Sequence, residues 1–319
     1  SFKGQWGYQH LVVSLANTQE VLFQDLRPGN RPSHEGAAER LDASIDLLRR
    51  AGFKAVLLRG DTHFSQTAFL DRWDQDCVEF VFGIQAGQNL CDKADSLPET
   101  AWRELVRKPR DEPRATSRRR PRNVKDDVVA DREYYNQYLC REDVAEFDYK
   151  PSKCKVPLRI VALRKIITHE RGQKLLRAEK RYLFYITNTA HTAERVVELA
   201  NERCNQERTI GELKSGVNAL RMPLGDLVSN WAYSVIATLA WNLSRWMALA
   251  LPVRGRWRSK HTEENGHVLR MRFRTFVHRF MQIPAQIVTT GRQLVVRLLD
   301  WNPWRHVFFR AVDGVQLTT

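Results

Sequence analysis

Three observations predict an α/β fold built on a mixed sheet flanked by helices. Between residues 8 and 84 short apolar runs alternate with helical patterns, the grammar of a sheet with some parallel pairing. One run, Ala55-Val56-Leu57-Leu58, is continuous, as in a strand buried on both faces. A length of 319 residues with 43% hydrophobic content supports about two domains, each with a buried core.

The elements follow in order. Apolar residues 11–15 and 21–23 are separated by Ala16-Asn17-Thr18-Gln19-Glu20, which reads as a hairpin. The loop at residues 27–32 leads to Ser33 as a candidate N-cap. Ala38, Leu41, Ile45 and Leu48 then recur at helical spacing, and Gly52 ends the helix. The buried strand at 55–58 closes on Arg59-Gly60-Asp61, a helix is predicted over 64–73, and a strand over 78–84. Residues 85–155 show little periodicity, and residues 101–125 carry ten Arg/Lys against three acids, as an inserted basic region does. Strands return at 158–163 and 182–187. A long helical segment spans 192–220 and an apolar helix 227–251. The tail is basic again, with twelve Arg/Lys and three acids over 251–310. There Leu269, Met271 and Phe273 alternate with Arg270, Arg272 and Arg274, as in a strand with one cationic face. Residues 286–296 read as a hairpin closed at Gly291. The resulting division is 1–84 and 190–250 as one core, 85–189 as a basic, β-containing insertion and 251–319 as a basic extension.

The formal charge of +14 draws polyanions and makes nucleic acid the leading partner. Cys77, Cys91, Cys140, Cys154 and Cys204 are widely spaced without a C-x-x-C pair, which fits reduced thiols better than disulfides or a zinc site. The N-terminus lacks a starting Met and a signal pattern, the expectation for a chain cut from something longer. Asn230, Asn242 and Arg245 interrupt the 227–251 stretch, so it is expected to be a buried core helix and not a membrane span. No phosphate-binding loop or dinucleotide fingerprint is present, so no nucleotide cofactor is indicated.

Two acids carry the chemistry. On a helical wheel, Val196, Leu199, Ala200, Ile210 and Val217 define an apolar stripe, and Arg203, Glu207 and Lys214 fall inside it. Glu194, Glu198, Glu202, Arg208 and Glu212 fall outside. A carboxylate aimed at a core needs partners or a metal; equally, Arg203 and Glu207, four apart, form an ordinary helical ion pair. Asp61 ends a buried strand, where α/β sheets place their binding crevices; equally, it serves as a plain N-cap. Trp102 and Arg118, Arg119 and Arg120 mark the insertion as a DNA contact, and Arg270, Arg272 and Arg274 offer a second. Trp301 and Trp304 either stack on bases or pack in a C-terminal core, and His63 stands beside Asp61.

Residues 6–16 and 27–38, Leu57-Leu58-Arg59-Gly60-Asp61, Ala200-Asn201-Glu202-Arg203-Cys204-Asn205-Gln206-Glu207 and Leu298-Leu299-Asp300-Trp301-Asn302-Pro303-Trp304 resemble bacterial insertion-sequence transposases of the DDE class. The resemblance covers nearly the whole chain and implies a ribonuclease-H-like catalytic core. It also implies Mg²⁺ or Mn²⁺ as cofactor, with Asp61 as the second acid and Glu207 as the third. In such transposases the third acid lies in a signature of Tyr, two residues, Arg, three residues, Glu, six residues, Lys. Arg203, Glu207 and Lys214 match that spacing, and Ala200 stands where the Tyr would be. Lys214 is then expected near the DNA backbone, with Arg203 steadying Glu207. The first acid would lie on a strand before the hairpin; no residue fills that place, and Asp25 follows the wrong strand. The implied function is metal-dependent DNA cleavage and strand transfer on element ends and target DNA. It would be carried out in the bacterial cytoplasm, associated with the nucleoid, by a homodimer in a synaptic complex, this chain alone being inactive. The alternative is a catalytically inactive, nucleic-acid-binding remnant of a transposase.

Overall fold

The turn at residues 15–20 brings two apolar runs together. In a computed structural model, which describes residues 7–107, 136–171, 174–202, 204–298 and 302–316, β1 (Tyr8–Ser14) and β2 (Val21–Pro28) pair antiparallel from Tyr8↔Pro28 to Ser14↔Val21. The helix read from Ser33 begins later, as α1 (Ala37–Arg50). Arg27 donates to the carbonyls of Pro32, Ser33 and Glu35, so these groups hold a turn before the helix starts. Gly52, at φ +90°, ends α1 in the left-handed conformation that glycine adopts without strain. The chain forms two units, Leu47–Arg203 and the joined segments Ser1–Asp46 and Cys204–Thr319.

The first of these holds a six-stranded mixed sheet. Its order is β3 (Leu57–Gly60), β4 (Glu79–Ile84), β8 (Lys174–Thr187), β7 (Leu158–Arg171), β6 (Asn136–Tyr149), β5 (Arg103–Glu104). β3 and β4 run parallel across α2 (Leu70–Gln75), and all other pairs are antiparallel. β4 is buried on both faces. Phe80 and Phe82 stack on one side near Trp73, while Val81 on the other joins Val196, Val197 and Ala200 of α4 (Ala193–Glu202). The helix α3 (Gln88–Ser96) follows β4. The long strands β6 to β8 also bury charge. Asp143, wholly buried, meets its register partner Arg164, which forks onto Glu99 at 2.8 Å and lies 4.3 Å over the Trp102 ring. The stretch read as lacking periodicity therefore contains α3, β5 and β6. Its polar residues pair across strands, which one-dimensional patterning does not register.

The second unit sets the hairpin β1–β2 against α6 (Leu227–Ala250), followed by α7 (Arg258–Leu269), α8 (Phe273–Phe276), a π-turn at Val277–Met281, the hairpin β9 (Ala285–Thr290) and β10 (Gln293–Leu298), and α9 (Arg305–Gln316). Gly291 and Arg292, at φ 53° and 65°, make the tight turn expected at the 286–296 hairpin. α6 packs on β2 through polar side chains. Asn242 exchanges a pair of hydrogen bonds with the Val21 backbone at 2.9 and 2.8 Å. Ser234 and Thr238 bond Gln24, and the indoles of Trp231 and Trp241 donate to the carbonyls of Gln24 and Gln19. The expectation of a buried core helix is corrected accordingly. One face is buried and polar, and every exposed residue of α6 is apolar. Among the described residues no helix is long and apolar enough to cross a membrane.

Two further expectations change. Residues 269–274 are not a strand: Leu269 ends α7 and Phe273 starts α8. The alternation is still realised, with Leu269, Met271 and Phe273 packed inward and the three arginines exposed. The described helix after Glu202, α5 (Cys204–Ser215), ends at Ser215 and not near 220, because the amides of Gly216 and Val217 turn back onto the Glu212 carbonyl.

Asn242→Ala is expected to destabilise this unit by about 1–3 kcal/mol, because it strips two partners from buried strand backbone; a urea denaturation midpoint equal to wild type would refute this. His10 on β1 is pushed from 6.5 down to about 4 by burial. The unfolded chain therefore takes up a proton there before the folded one, and stability is expected to fall as pH drops from 6.5 toward about 4. Thermal melts across that window should be flatter for His10→Phe.

Candidate functional site

Asp61 is held by a tightly packed turn in the sheet-bearing unit. It N-caps a short 3₁₀ turn, Thr62–Phe64, its carboxylate accepting from the His63 amide at 2.9 Å with His63 Nδ1 at 3.7 Å. Two glycines let that turn lie against β4. A Cβ on Gly60 would come 2.9 Å from Phe64 Cβ and 3.0 Å from the Phe82 ring, and one on Gly83 would come 3.1 Å from Thr62 N. Arg59, two residues before Asp61, reaches α4 and donates to the Leu199 carbonyl at 3.1 Å and to Glu202 at 3.0 Å. Glu202 also binds Arg195 at 3.1 Å. The end of β3 is thus tied to the end of the helix that precedes Glu207 in sequence.

Glu207 and Lys214 belong to the other unit, on α5. Thr209 and Leu213, four apart, are 2% and 0% exposed, and Gln206 donates to the Val12 carbonyl at 3.0 Å. Those residues face the unit's interior, while Glu207 and Lys214, two turns apart, share the exposed side. The apolar stripe drawn through Val196 and Ile210 is corrected: Ile210 is 37% exposed and Glu207 is not buried. α4 packs on the six-stranded sheet and α5 on the hairpin core with Val21 and Trp241, so the buried sector differs between the two helices.

A basic turn is fastened to α5. Arg208, next to Glu207, donates to the Arg270 carbonyl at 2.6 Å, and Glu212 accepts from the Phe273 amide at 3.0 Å. Arg245 of α6, with no exposed surface, donates to the carbonyls of Leu269 and Met271 while lying 4.0 Å over the Trp241 ring. Burial lowers its guanidinium to about 10, which leaves it charged at neutral pH. Gly216 sits at the junction; a Cβ there would fall 2.8 Å from Glu212 Oε2 and 3.1 Å from Phe273 Cβ. With its backbone held on both sides, the turn presents Arg270, Arg272 and Arg274 outward.

Lys214, Glu207 and these three arginines therefore lie in one unit and Asp61 in the other. Arg118, Arg119, Arg120, Arg203 and Trp301 lie outside the described residues. Asp25 is engaged in a bidentate pair with Arg40 at 2.5 and 2.8 Å. Trp304 packs in a C-terminal core with Phe280 and His267, the packing role foreseen for it. Sequence reasoning missed Arg208, Glu212 and Arg245 as organisers. Glu212 and Arg208 lay off the apolar stripe, and Arg245 read only as an interruption of an apolar run; the visible signal was a charge without a helical partner inside that run.

No curated protein matches the chain. The family described as transposase DDE domain, group 1, matches it over residues 1–319, the full length that contains both carboxylates and the basic turn. The chain belongs to that family of DDE transposase domains.

Proposed function

We propose that the chain binds DNA through the arginine-bearing face linked to α5, and that Asp61 and Glu207 are its acidic contribution to strand cleavage and strand transfer during insertion-sequence transposition. The observation that carries this reading is the fixed attachment of Arg270, Arg272 and Arg274 to the helix holding Glu207 and Lys214, in a member of a transposase family. Three exposed guanidinium groups neutralise phosphates and release counterions, so binding weakens steeply with salt. Lys214, exposed on the same helix, holds phosphate, Arg203 steadies Glu207, and Arg118, Arg119 and Arg120 extend the contact. On this reading residues 1–84 and 190–250 make a ribonuclease-H-like core, 85–189 an insertion and 251–319 a basic extension.

Among the described residues no group of three or more His, Cys, Asp or Glu side chains is placed to hold a metal ion. Mg²⁺ or Mn²⁺ thus finds no complete ligand set among the described residues, and the roles of Arg270, Arg272, Arg274 and Lys214 stop at binding and orienting DNA. A second reading is a catalytically inactive DNA-binding remnant.

Nicking of supercoiled plasmid in the presence of Mg²⁺ or Mn²⁺ separates the two. The first reading expects no nicking by this chain and nicking by a protein that also supplies a strand-end Asp upstream; failure of both to nick while both bind DNA favours the remnant. In the extended protein Glu207→Gln is expected to abolish cleavage and leave DNA affinity within about twofold, as loss of a transition-state interaction does. Cleavage that persists would refute the role of Glu207. Glu212 gives a test of sign. By charge alone, Glu212→Ala tightens DNA binding; by loss of its hold on the Phe273 amide it weakens binding, roughly three- to tenfold for one hydrogen bond. Glu212→Gln, which keeps an acceptor, is expected to bind like wild type. Fluorescence anisotropy over a salt series reads both, and tightening in Glu212→Ala would overturn the positioning role.

A further inference from the structure

The chain carries no acid between Asp226 and Glu263, and four cations, Arg254, Arg256, Arg258 and Lys260, fall close together inside that gap. All four are exposed, and Trp257 among them is 53% exposed. The Arg256 guanidinium lies 5.1 Å and the Lys260 ammonium 5.7 Å from the centre of the Trp257 ring. Lys260 is also 3.9 Å from Glu264, but that carboxylate is already bound by His306 at 2.8 Å and Arg310 at 2.9 Å, so the patch stays positive.

The backbone under the patch is fixed. Gly255, at φ +54°, leads in the left-handed conformation into a 3₁₀ turn, Gly255–Trp257, which runs directly into α7. The Arg254 amide donates to His261 Nδ1 at 3.2 Å, and Asn265 donates to the Leu251 carbonyl at 2.9 Å, so α7 holds the chain that enters it at two points. A ligand that settles on the indole therefore meets a surface ordered in advance.

Phosphate accounts for the four cations but not for the indole between them. In a duplex the base faces are stacked on one another, and a surface ring meets one only by unstacking a step. An unpaired nucleotide offers both an anionic backbone and an open base face, and grooves that hold single strands combine cations with aromatic rings for that reason. A lipid surface asks for several apolar residues on one side of a helix, whereas Trp257 is the only apolar side chain over residues 254–262. α7 has 12 residues, so about 18 Å separate this turn from Arg270 at its other end. That is the length of roughly five stacked nucleotides, and a strand leaving a duplex held at the Arg270 turn is within reach of Trp257.

We propose that the turn at residues 254–260 is a site for unpaired DNA, in which the Trp257 ring stacks on a base while Arg254, Arg256, Arg258 and Lys260 hold the flanking phosphates. The proposal rests on the DNA-binding reading above and deepens it by naming a second state of DNA that the chain takes.

Fluorescence anisotropy of the full chain with a labelled oligo-dT single strand, a blunt duplex and the same duplex with a single-stranded tail tests it. Wild type is expected to bind oligo-dT, and to bind the tailed duplex more tightly than the blunt one. Trp257→Ala is expected to lose at least about fivefold in affinity for oligo-dT, the loss of one stacked base, with its salt slope unchanged and its blunt-duplex affinity within about twofold of wild type. Arg256→Gln is expected instead to flatten the salt slope on oligo-dT by about 0.7, one phosphate contact on a single strand. Trp257→Phe, which keeps an aromatic face, is expected to bind oligo-dT close to wild type, and Trp257→Leu, apolar without one, to behave like Trp257→Ala. Circular dichroism checks that each variant is folded, and the comparison of Phe with Leu decides should the alanine variant misfold. A wild type that binds blunt duplex but not oligo-dT, a Trp257→Ala loss equal on both, or a Trp257→Leu that binds like Trp257→Phe overturns this proposal and leaves the DNA-binding reading standing. A wild type that binds none of the probes overturns both. Loss of binding to phosphatidylcholine–phosphatidylglycerol vesicles in Trp257→Ala, with oligo-dT affinity unchanged, assigns the ring to lipid and overturns the proposal as well.

Discussion

A buried strand edge must have its backbone N–H and C=O groups satisfied, and in the hairpin-bearing unit α6 does this work. Among the described residues β1 and β2 form a two-stranded sheet, so there β2 has one edge without a strand neighbour. Asn242 imitates a strand residue by giving and taking one hydrogen bond at Val21, and two indoles cap the carbonyls of Gln19 and Gln24. A helix that supplies hydrogen bonds inward has to carry its small polar residues on the inner face. Apart from Trp241 and Ala248, which are buried with that polar set, its apolar residues lie largely outward, which is the origin of the inverted pattern. The same inward face brings Arg245 to the carbonyls of Leu269 and Met271, so one helix secures both the hairpin and the basic turn.

Local signals survived the passage from sequence to structure where the physics is local. The hairpins at 8–28 and 285–298, the C-terminal glycine of α1 and the parallel pairing of β3 with β4 each rest on turn chemistry or on a continuous apolar run. The alternation at 269–274 assigned inward and outward sides correctly but not the element. Period-two alternation also arises when one helix ends and another begins, and the decisive bonds come from Arg208, Glu212 and Arg245, far away in sequence. Asp143 and Arg164 were illegible for a similar reason: a buried cross-strand ion pair looks, in one dimension, like two surface charges.

The candidate site was legible in part. Asp61 was placed at a strand end and as a turn cap, and both hold. Glu207 was marked by its apparent place on an apolar stripe, and that argument fails because α4 and α5 bury different sectors against different cores. An exposed carboxylate is the more useful arrangement for a group meant to meet a substrate, since desolvating an unpaired acid in a core costs several kcal/mol. The spacing of Glu207 to Lys214, two helical turns, puts both on one exposed side regardless of the stripe.

α6 therefore has two unlike faces. Its inner face sets the turn that carries Arg270, Arg272 and Arg274, and its outer face is apolar. The buried guanidinium of Arg245 thus fastens the basic turn to the same helix that satisfies the backbone of β2, so the outward placing of the three arginines depends on the packing that holds the hairpin.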